Sequence, residues 1–549
     1  MFERRLPLQY VLIWILALSA CSDSGQPEVD HVEKGDRREQ TPERALVRGN
    51  YMEPVSLDPH KVQAYEIYIL LDLHEGLVNL SPSGEIVPGV AERWETEDNR
   101  VYRFYLRPDA RWSNGDPVTA GDFVYSWRRL VTPAVASPYA SYLEDARIQN
   151  AAAVISGKLP PEQLGIKALD DHTLEVSLDQ PLGYFVEMLT LHVTFPVHRP
   201  TVETFGDEWT RPEHHVSNGA FRLLESQANS HVTLVASPSY WDADNVQLQK
   251  VTFLPIESPQ AEMNRYLAGD MDITAQVPSN HLERLGDQRP RELQVFPLAG
   301  MQYLTFNTRQ PPFDNTALRK ALSYAIDREI LAEKIVGLEE LASYTYTPAS
   351  LLPTLRDEIP LATMGQAARE AQARALYAQA GYSAENPLKF EVLFPSGDNK
   401  RKEALAVAAM WKRVLGAEVT LRSLRAKDRL QQVQSGNFQV SFSVWLADYQ
   451  DGASMLGQLH SDSSLNLSGY NSPRFDQLLE TSAGLSDADA RKLGYLEAER
   501  VLAEDVPVTP LYQYAAIQLV SERVGGYAFS PTFLMYSKNL WIKDEALSE

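Results

Sequence analysis

Strict alternation of apolar and polar positions first appears at Tyr102, Phe104 and Leu106, a period of two that predicts a half-buried strand. Trp112-Ser113-Asn114-Gly115 then supplies a turn whose Asn-Gly pair accepts positive φ. Thr119-Ala120-Gly121-Asp122 resembles a capping box with Asp in place of Glu, opening a helix that carries Phe123, Trp127 and Leu130. Between Gly165 and Leu178 two further alternating runs flank Asp170-Asp171, which reads as a hairpin. This part of the chain is predicted to be α+β.

From Pro387 to Tyr449 the rhythm changes. Leu388–Phe394 reads as a strand, Lys400–Leu415 as a helix stopped by Gly416, and Glu418–Leu424 as a second strand. A further helix has Ala426, Leu430 and Val433 on one face and stops at Gly436, after which Phe438–Trp445 is a third, largely apolar strand. The order βαβαβ predicts parallel strands joined by right-handed crossovers, with ligands beyond the strands' carboxyl ends. The third strand runs directly into Ala447-Asp448-Tyr449, so Asp448 is expected at that rim, at least half buried. A buried carboxylate is costly unless a cation pairs with it. The same position also suits an Asp that caps the next helix.

At about 150 residues per domain, 549 residues make three to four domains' worth of chain, and 44% hydrophobic residues suffice for packed cores. No repeat at solenoid periods is present, and the separated βαβ and hairpin stretches predict at least two lobes. A net charge of −22, spread rather than blocked, argues for solubility and against nucleic acid as a partner.

The amino terminus changes the picture more. Arg4-Arg5 precedes an apolar run from Leu6 to Ala20, too short to span a bilayer, and no later segment reaches that length without charges. Leu18-Ser19-Ala20-Cys21 looks like a bacterial lipobox, which makes 1–21 a lipoprotein signal peptide and Cys21 the lipidated first residue of the mature chain. It is the single cysteine, so no internal disulfide is possible. Residues 22–44 lack aromatic residues and read as a flexible tether with a reach of roughly 25 to 30 Å.

The usual catalytic signatures are absent: there is no Gly-x-Gly-x-x-Gly, Walker-type loop, Gly-x-Ser-x-Gly or His-Glu-x-x-His. His214-His215 lacks partners at metal-ligand spacing and reads as a surface loop beside Pro212, and His74-Glu75 as local structure at a helix end. Twenty-five Tyr and nine Trp, with their apolar faces and polar tips, suit pockets for varied side chains, although core packing accounts for most of them. The pattern points to binding. A secreted hydrolase using an unassigned carboxylate pair is the alternative of another class.

Ordered blocks from about Leu46 to Lys543 resemble the extracellular solute-binding proteins of peptide ABC importers, family 5, and most closely the oligopeptide-binding members. They are Ser56-Leu57-Asp58-Pro59-His60, Trp112–Trp127, Ala136–Leu143, Ser217-Asn218-Gly219-Ala220, Tyr240-Trp241, Asn264-Arg265-Tyr266, Ala325-Ile326-Asp327-Arg328 and Trp445–Tyr449. The resemblance implies a two-lobed α/β periplasmic-binding-protein fold (type II, cluster C) with an extra α+β domain, hinged by two chain crossings. Lobe 1 would comprise 45–74, 199–300 and 515–549, the extra domain 75–198, and lobe 2 301–514. It further implies a monomeric, lipid-anchored, non-catalytic subunit without metal or other cofactor, on the periplasmic or cell-envelope side, which passes oligopeptides to permease subunits; a binder of murein-derived peptides is the alternative.

In the family's pattern Asp448 takes the peptide α-ammonium, Tyr139 bonds the ligand from the extra domain, and Trp445 flanks the first residue beside Ala447. Tyr303, Tyr512 and Tyr514 would line side-chain pockets, and Gln63 with Tyr65 would pair with peptide backbone as an added strand. Departures accompany the match. Two arginines that receive the carboxylate of short peptides fall here on Phe442 and Val433, an acidic residue falls on Gln63, and an asparagine becomes Gln276. Longer peptides, a modified cell-wall peptide, or carboxylate capture by another cation are all compatible with these changes.

Overall fold

Residues 44–543, apart from 63–65, 338–340, 354, 356, 529 and 533, are described by the computed structural model. The signal peptide, Cys21 and all of the 22–44 tether except Arg44 lie outside the described residues.

The alternation at Tyr102, Phe104 and Leu106 forms the Val101–Leu106 strand, with those three side chains buried and the intervening positions more exposed. It pairs antiparallel with Ala91–Thr96 and with Thr173–Ser177, and Ile166–Asp170 completes a four-stranded sheet. The helix Ala120–Val131 covers this sheet with Phe123, Trp127 and Leu130, all fully buried. Its start is the expected box: Asp122 accepts the Thr119 backbone N–H at 2.8 Å.

A second four-stranded sheet is assembled from distant segments. Ala45–Asn50 lies parallel to Lys250–Pro255, followed by His231–Ala236 and Phe221–Gln227 in antiparallel order. The two sheets are joined through buried polar groups. Asp58 holds Arg129 at 2.5 Å and accepts the Trp209 indole N–H at 3.3 Å. Glu75 accepts the hydroxyl of Tyr240 and the indole N–H of Trp241, at 2.5 and 2.6 Å. Several family markers therefore act as cross-links; a Cβ on Gly219, for instance, would meet the Asp72 carbonyl oxygen at 2.6 Å. His215 departs from the surface reading: it is buried and stacks on Trp209 at 5.4 Å, because the loop folds back under that indole.

The third sheet has five strands in the order Glu418–Leu424, Lys389–Pro395, Val440–Leu446, Leu293–Phe306, Val508–Leu519. The first three are parallel, and their crossovers are the helices Asp398–Leu415 and Ala426–Gln434, followed by Gly416 and Gly436 at φ +72° and +71°. The sequence-predicted βαβαβ unit is thus present within two residues at each strand boundary. One face of this sheet buries Leu304, Phe306, Phe390, Val392 and Phe442 against Trp411 of the first crossover helix. At about 25 cal/mol per Å² of apolar surface, each buried side chain of that size contributes roughly 1.5–3 kcal/mol.

Leu293–Phe306 and Val508–Leu519 are the longest strands, at 14 and 12 residues. Their pairing breaks between Pro297 and Met301, and Ala299 there donates its N–H to Pro531 O at 2.6 Å. Among the described residues no helix is long and apolar enough to cross a membrane.

Candidate functional site

Beyond the carboxyl end of Val440–Leu446, a cavity of about 370 Å³ opens. Trp445, Asp448 and Tyr449 form one wall, and Tyr142, Asp145 and Tyr184 of the hairpin-rich segment form the other. Tyr184 and Tyr449 stack across it, ring centroids 5.5 Å apart and planes 11° from parallel. Trp445 is fixed by an indole bond to Ser454 O at 3.1 Å, and Ala447 by its N–H to Ala299 O at 2.7 Å.

Asp448 is not the cap of the following helix. The N-cap of that helix is Gly452 and its first N–H, from Ala453, goes to the Asp451 carboxylate at 2.9 Å, whereas Asp448 donates its own N–H to Ser454 Oγ at 2.8 Å. Among the described residues the Asp448 carboxylate receives no hydrogen bond and no ion pair. Loss of surrounding water pushes its pKa up to about 7, with Asp145 adding like-charge repulsion. Desolvation at the cavity also raises Asp145, to about 6, with Glu144 contributing, although the residue as a whole is exposed. Asp448 itself thus has no paired cation, in a cavity walled by aromatic faces whose lining also includes Glu144, Arg147 and His460. A charge-assisted hydrogen bond to such a carboxylate is worth about 1.5–3 kcal/mol.

Tyr139 is half-buried and packs edge-on to Tyr142 and His192, at 6.3 and 6.1 Å. Burial and the nearby Asp448 charge hold its phenol well above the usual range. Tyr303 is buried in the same apolar cluster as Tyr142, Tyr449 and Ala447, and meets Tyr346 edge to face at 5.1 Å. The remaining predicted residues are placed elsewhere. Tyr512 pairs opposite Gln302, the neighbour of Tyr303 on its strand, so its side chain takes the other face of the sheet. There its hydroxyl donates to Glu403 at 2.9 Å and accepts from Lys400 at 3.0 Å. Tyr514, two residues on, is exposed, and Gln276 donates to the carbonyls of Ile256 and Glu257; neither lines this cavity. Gln63 and Tyr65 lie outside the described residues.

Tyr142, Asp145, Tyr184 and Tyr449 line the cavity but were not among the expected site residues. Asp145 follows closely on the Ala136–Leu143 block and Tyr449 adjoins Asp448, so proximity to a marker was the available signal. Tyr184 had none, since only the fold brings it opposite Tyr449.

A cavity where an α/β sheet with a parallel three-strand core meets an antiparallel α+β segment agrees with the two-lobed solute-binding fold. Comparison with known proteins agrees. The family described as bacterial extracellular solute-binding proteins, family 5 Middle, matches residues 85–466, and the chain belongs to that family. It is 41% identical over 499 residues to the periplasmic murein peptide-binding protein MppA of Escherichia coli, covering 90% of this chain and 93% of that one. To the periplasmic oligopeptide-binding protein OppA of Salmonella typhimurium it is 39% identical over 535 residues, 97% of each. The crystal structure of Haemophilus influenzae OppA in complex with RPPGFSPFR superposes with a TM-score of 0.78 at 35% identity, covering 92% of this chain and 99% of that one.

Proposed function

We propose that this protein is the substrate-binding lipoprotein of an ABC importer, capturing oligopeptides by their free N-terminus between two closing lobes and delivering them to a membrane permease. The observation that carries this reading is Asp448: a carboxylate without a cation, set at a strand end in a cavity walled by Trp445, Tyr142, Tyr184 and Tyr449. Residues 45–74, 199–300 and 515–549 act as one lobe, 301–514 as the other, and 75–198 as the added domain. The register break between Pro297 and Met301 supports a hinge where the two long strands pass from lobe to lobe. The protein works as a monomer without catalysis or cofactor, tethered to the envelope through lipidated Cys21.

The named relatives bind oligopeptides or murein peptides. The second reading, capture of murein-derived peptides, is favoured by the loss of arginine at positions 442 and 433, which alters how the far end of a ligand is held. Both readings are tested by extracting ligand from protein purified out of its own cell envelope and sequencing it by mass spectrometry. Intact peptides with free amino termini support the proposal, and cell-wall residues among them select the second reading. A non-peptide solute, or peptides cut during incubation, overturns it. For the anchor, a C21S chain should move from the membrane to the soluble fraction.

A further inference from the structure

The 75–198 domain meets its two neighbours in different ways. Toward lobe 1 it is cross-linked through buried polar side chains: Arg129 is held by Asp58, and Glu75 receives Tyr240, Trp241 and, at 3.0 Å, Lys538. Toward lobe 2 it grips one turn, 483–487, which joins the helices Pro473–Ala483 and Ala488–Asp505.

Three residues of the domain reach that turn. Gly183 donates its backbone N–H to Ala483 O at 2.7 Å. Asn99 Nδ2 donates to Ser486 Oγ at 2.8 Å and to Gly484 O at 3.2 Å. Glu187 pairs with Arg491 at 3.4 Å, and Nη1 of the same arginine donates to Leu485 O at 3.0 Å and Ser486 O at 3.1 Å, so the cation that meets the domain also shapes the turn. Asn99, Gly183, Glu187, Ser486 and Arg491 lie outside the lining of the Asp448 cavity. Tyr184, however, adjoins Gly183 and stacks on Tyr449, the neighbour of Asp448. Seating Gly183 on the turn therefore carries Tyr184 to its place in the cavity wall.

Gly183 is the point at which the two bodies come closest. A Cβ there would lie 1.9 Å from Leu485 O, 2.8 Å from Leu485 C and 3.1 Å from Arg491 Nη1, all atoms of lobe 2. Its φ is not in the left-handed region, so the backbone itself accepts alanine. Only the approach of lobe 2 forbids a side chain. Because the domain is cross-linked to lobe 1, this contact lies across the hinge.

We propose that Asn99, Gly183 and Glu187, with the 483–487 turn and Arg491, form a closure latch: the contact is made when the lobes close round a peptide, holds the closed state without touching the ligand, and parts to release it. The proposal rests on the peptide reading and the lobe division above, and adds to them positioning residues remote from the ligand. Apparent affinity scales with the population of the binding-competent state, so weakening the latch weakens capture.

The variant G183A tests this, because its clash exists only where the lobes meet. Without peptide the lobes are apart, and chemical denaturation should give G183A the same midpoint as the native chain. Titration calorimetry with one peptide of three to five residues should show binding to G183A weakened at least tenfold, with the further loss on N-acetylation unchanged, which marks the Asp448 end as intact. Small-angle X-ray scattering should show the native chain contracting when peptide is added and G183A contracting less at the same peptide concentration. A lower midpoint for G183A without peptide makes the contact a permanent part of the fold and overturns the latch. Equal affinity of G183A and native protein overturns it too, and leaves the peptide reading in place. Absence of binding by every peptide to the native chain overturns both.

Discussion

Ala447 donates its backbone N–H to the carbonyl of Ala299 at 2.7 Å, which ties the residue before Asp448 to the break in the long paired strands. The next residue, Gly300, is needed there, because a Cβ would meet Leu446 Cδ2 at 2.3 Å and Trp445 O at 2.9 Å. G300A is therefore expected to push Trp445 and Leu446 out of place without touching the ligand. Overpacking of this kind costs about 1–3 kcal/mol. Chemical denaturation should show that loss of stability, and peptide affinity by calorimetry should fall because Trp445 is displaced, with far-UV circular dichroism unchanged.

The raised pKa of Asp448, about 7, gives binding a pH dependence of known sign. In the empty cavity the group is protonated below that pH, and an ammonium ligand requires it ionised. Affinity for a free-amine peptide should rise from pH 5 to pH 8, by up to about tenfold per unit below the raised pKa, with proton release detectable by calorimetry in buffers of different ionisation enthalpy. Acetylated peptides should lack this dependence. For folding of the ligand-free protein the sign reverses. The folded state holds a proton that the unfolded chain releases near 3.8, so stability from this group falls as pH rises from about 4 through 7, and D448N removes that fall.

Buried imidazoles act in the other direction. Burial, the largest cause in each case, lowers His60 to about 3, His74 to about 4 and His192 to about 3, and neither ring nitrogen of His192 has a partner among the described residues. These groups are neutral in the fold and protonate near 6.5 when unfolded. Their contribution is complete above that value and is lost as pH falls toward 4. Melting temperature should drop between pH 7 and pH 4.5, and H74F, which removes one such group beside Trp209, should make the drop smaller.

Arg491 is buried between Asp451, at 3.1 Å, and Glu187 of the facing segment, at 3.4 Å. R491M leaves Asp451 buried without its cation, and chemical denaturation should show a loss of about 3–5 kcal/mol. The double variant R491M/D451N should recover part of it, since removing both partners avoids the stranded charge.

Much of the lobe that carries the site is legible in the amino-acid sequence. Alternation and glycine stops located the βαβαβ unit, and the strand-end rule delivered Asp448 to its rim, because both depend on local periodicity. Trp445 and Tyr139 followed from the family's motifs and do stand around Asp448. What local pattern could not carry was which face a side chain takes once strands pair. Tyr512 sits across the sheet from Tyr303 because of its register opposite Gln302, and that register includes an irregularity between Gln302 and Tyr303. Tyr184 was silent for the same reason: it meets Tyr449 only through long-range packing. His215 read as surface because a polar dipeptide beside proline says nothing of the indole that covers it.

The most direct test of the peptide-amine reading is a double-mutant cycle by titration calorimetry: native and D448N protein, each with one peptide as its free amine and its N-acetyl form. If Asp448 holds the ammonium, acetylation weakens binding to the native protein at least tenfold, D448N weakens the free peptide comparably, and the two losses do not add. If D448N binds the free peptide as tightly as the native chain, or acetylation costs nothing, Asp448 does not hold the ligand's amine and the account fails at its centre.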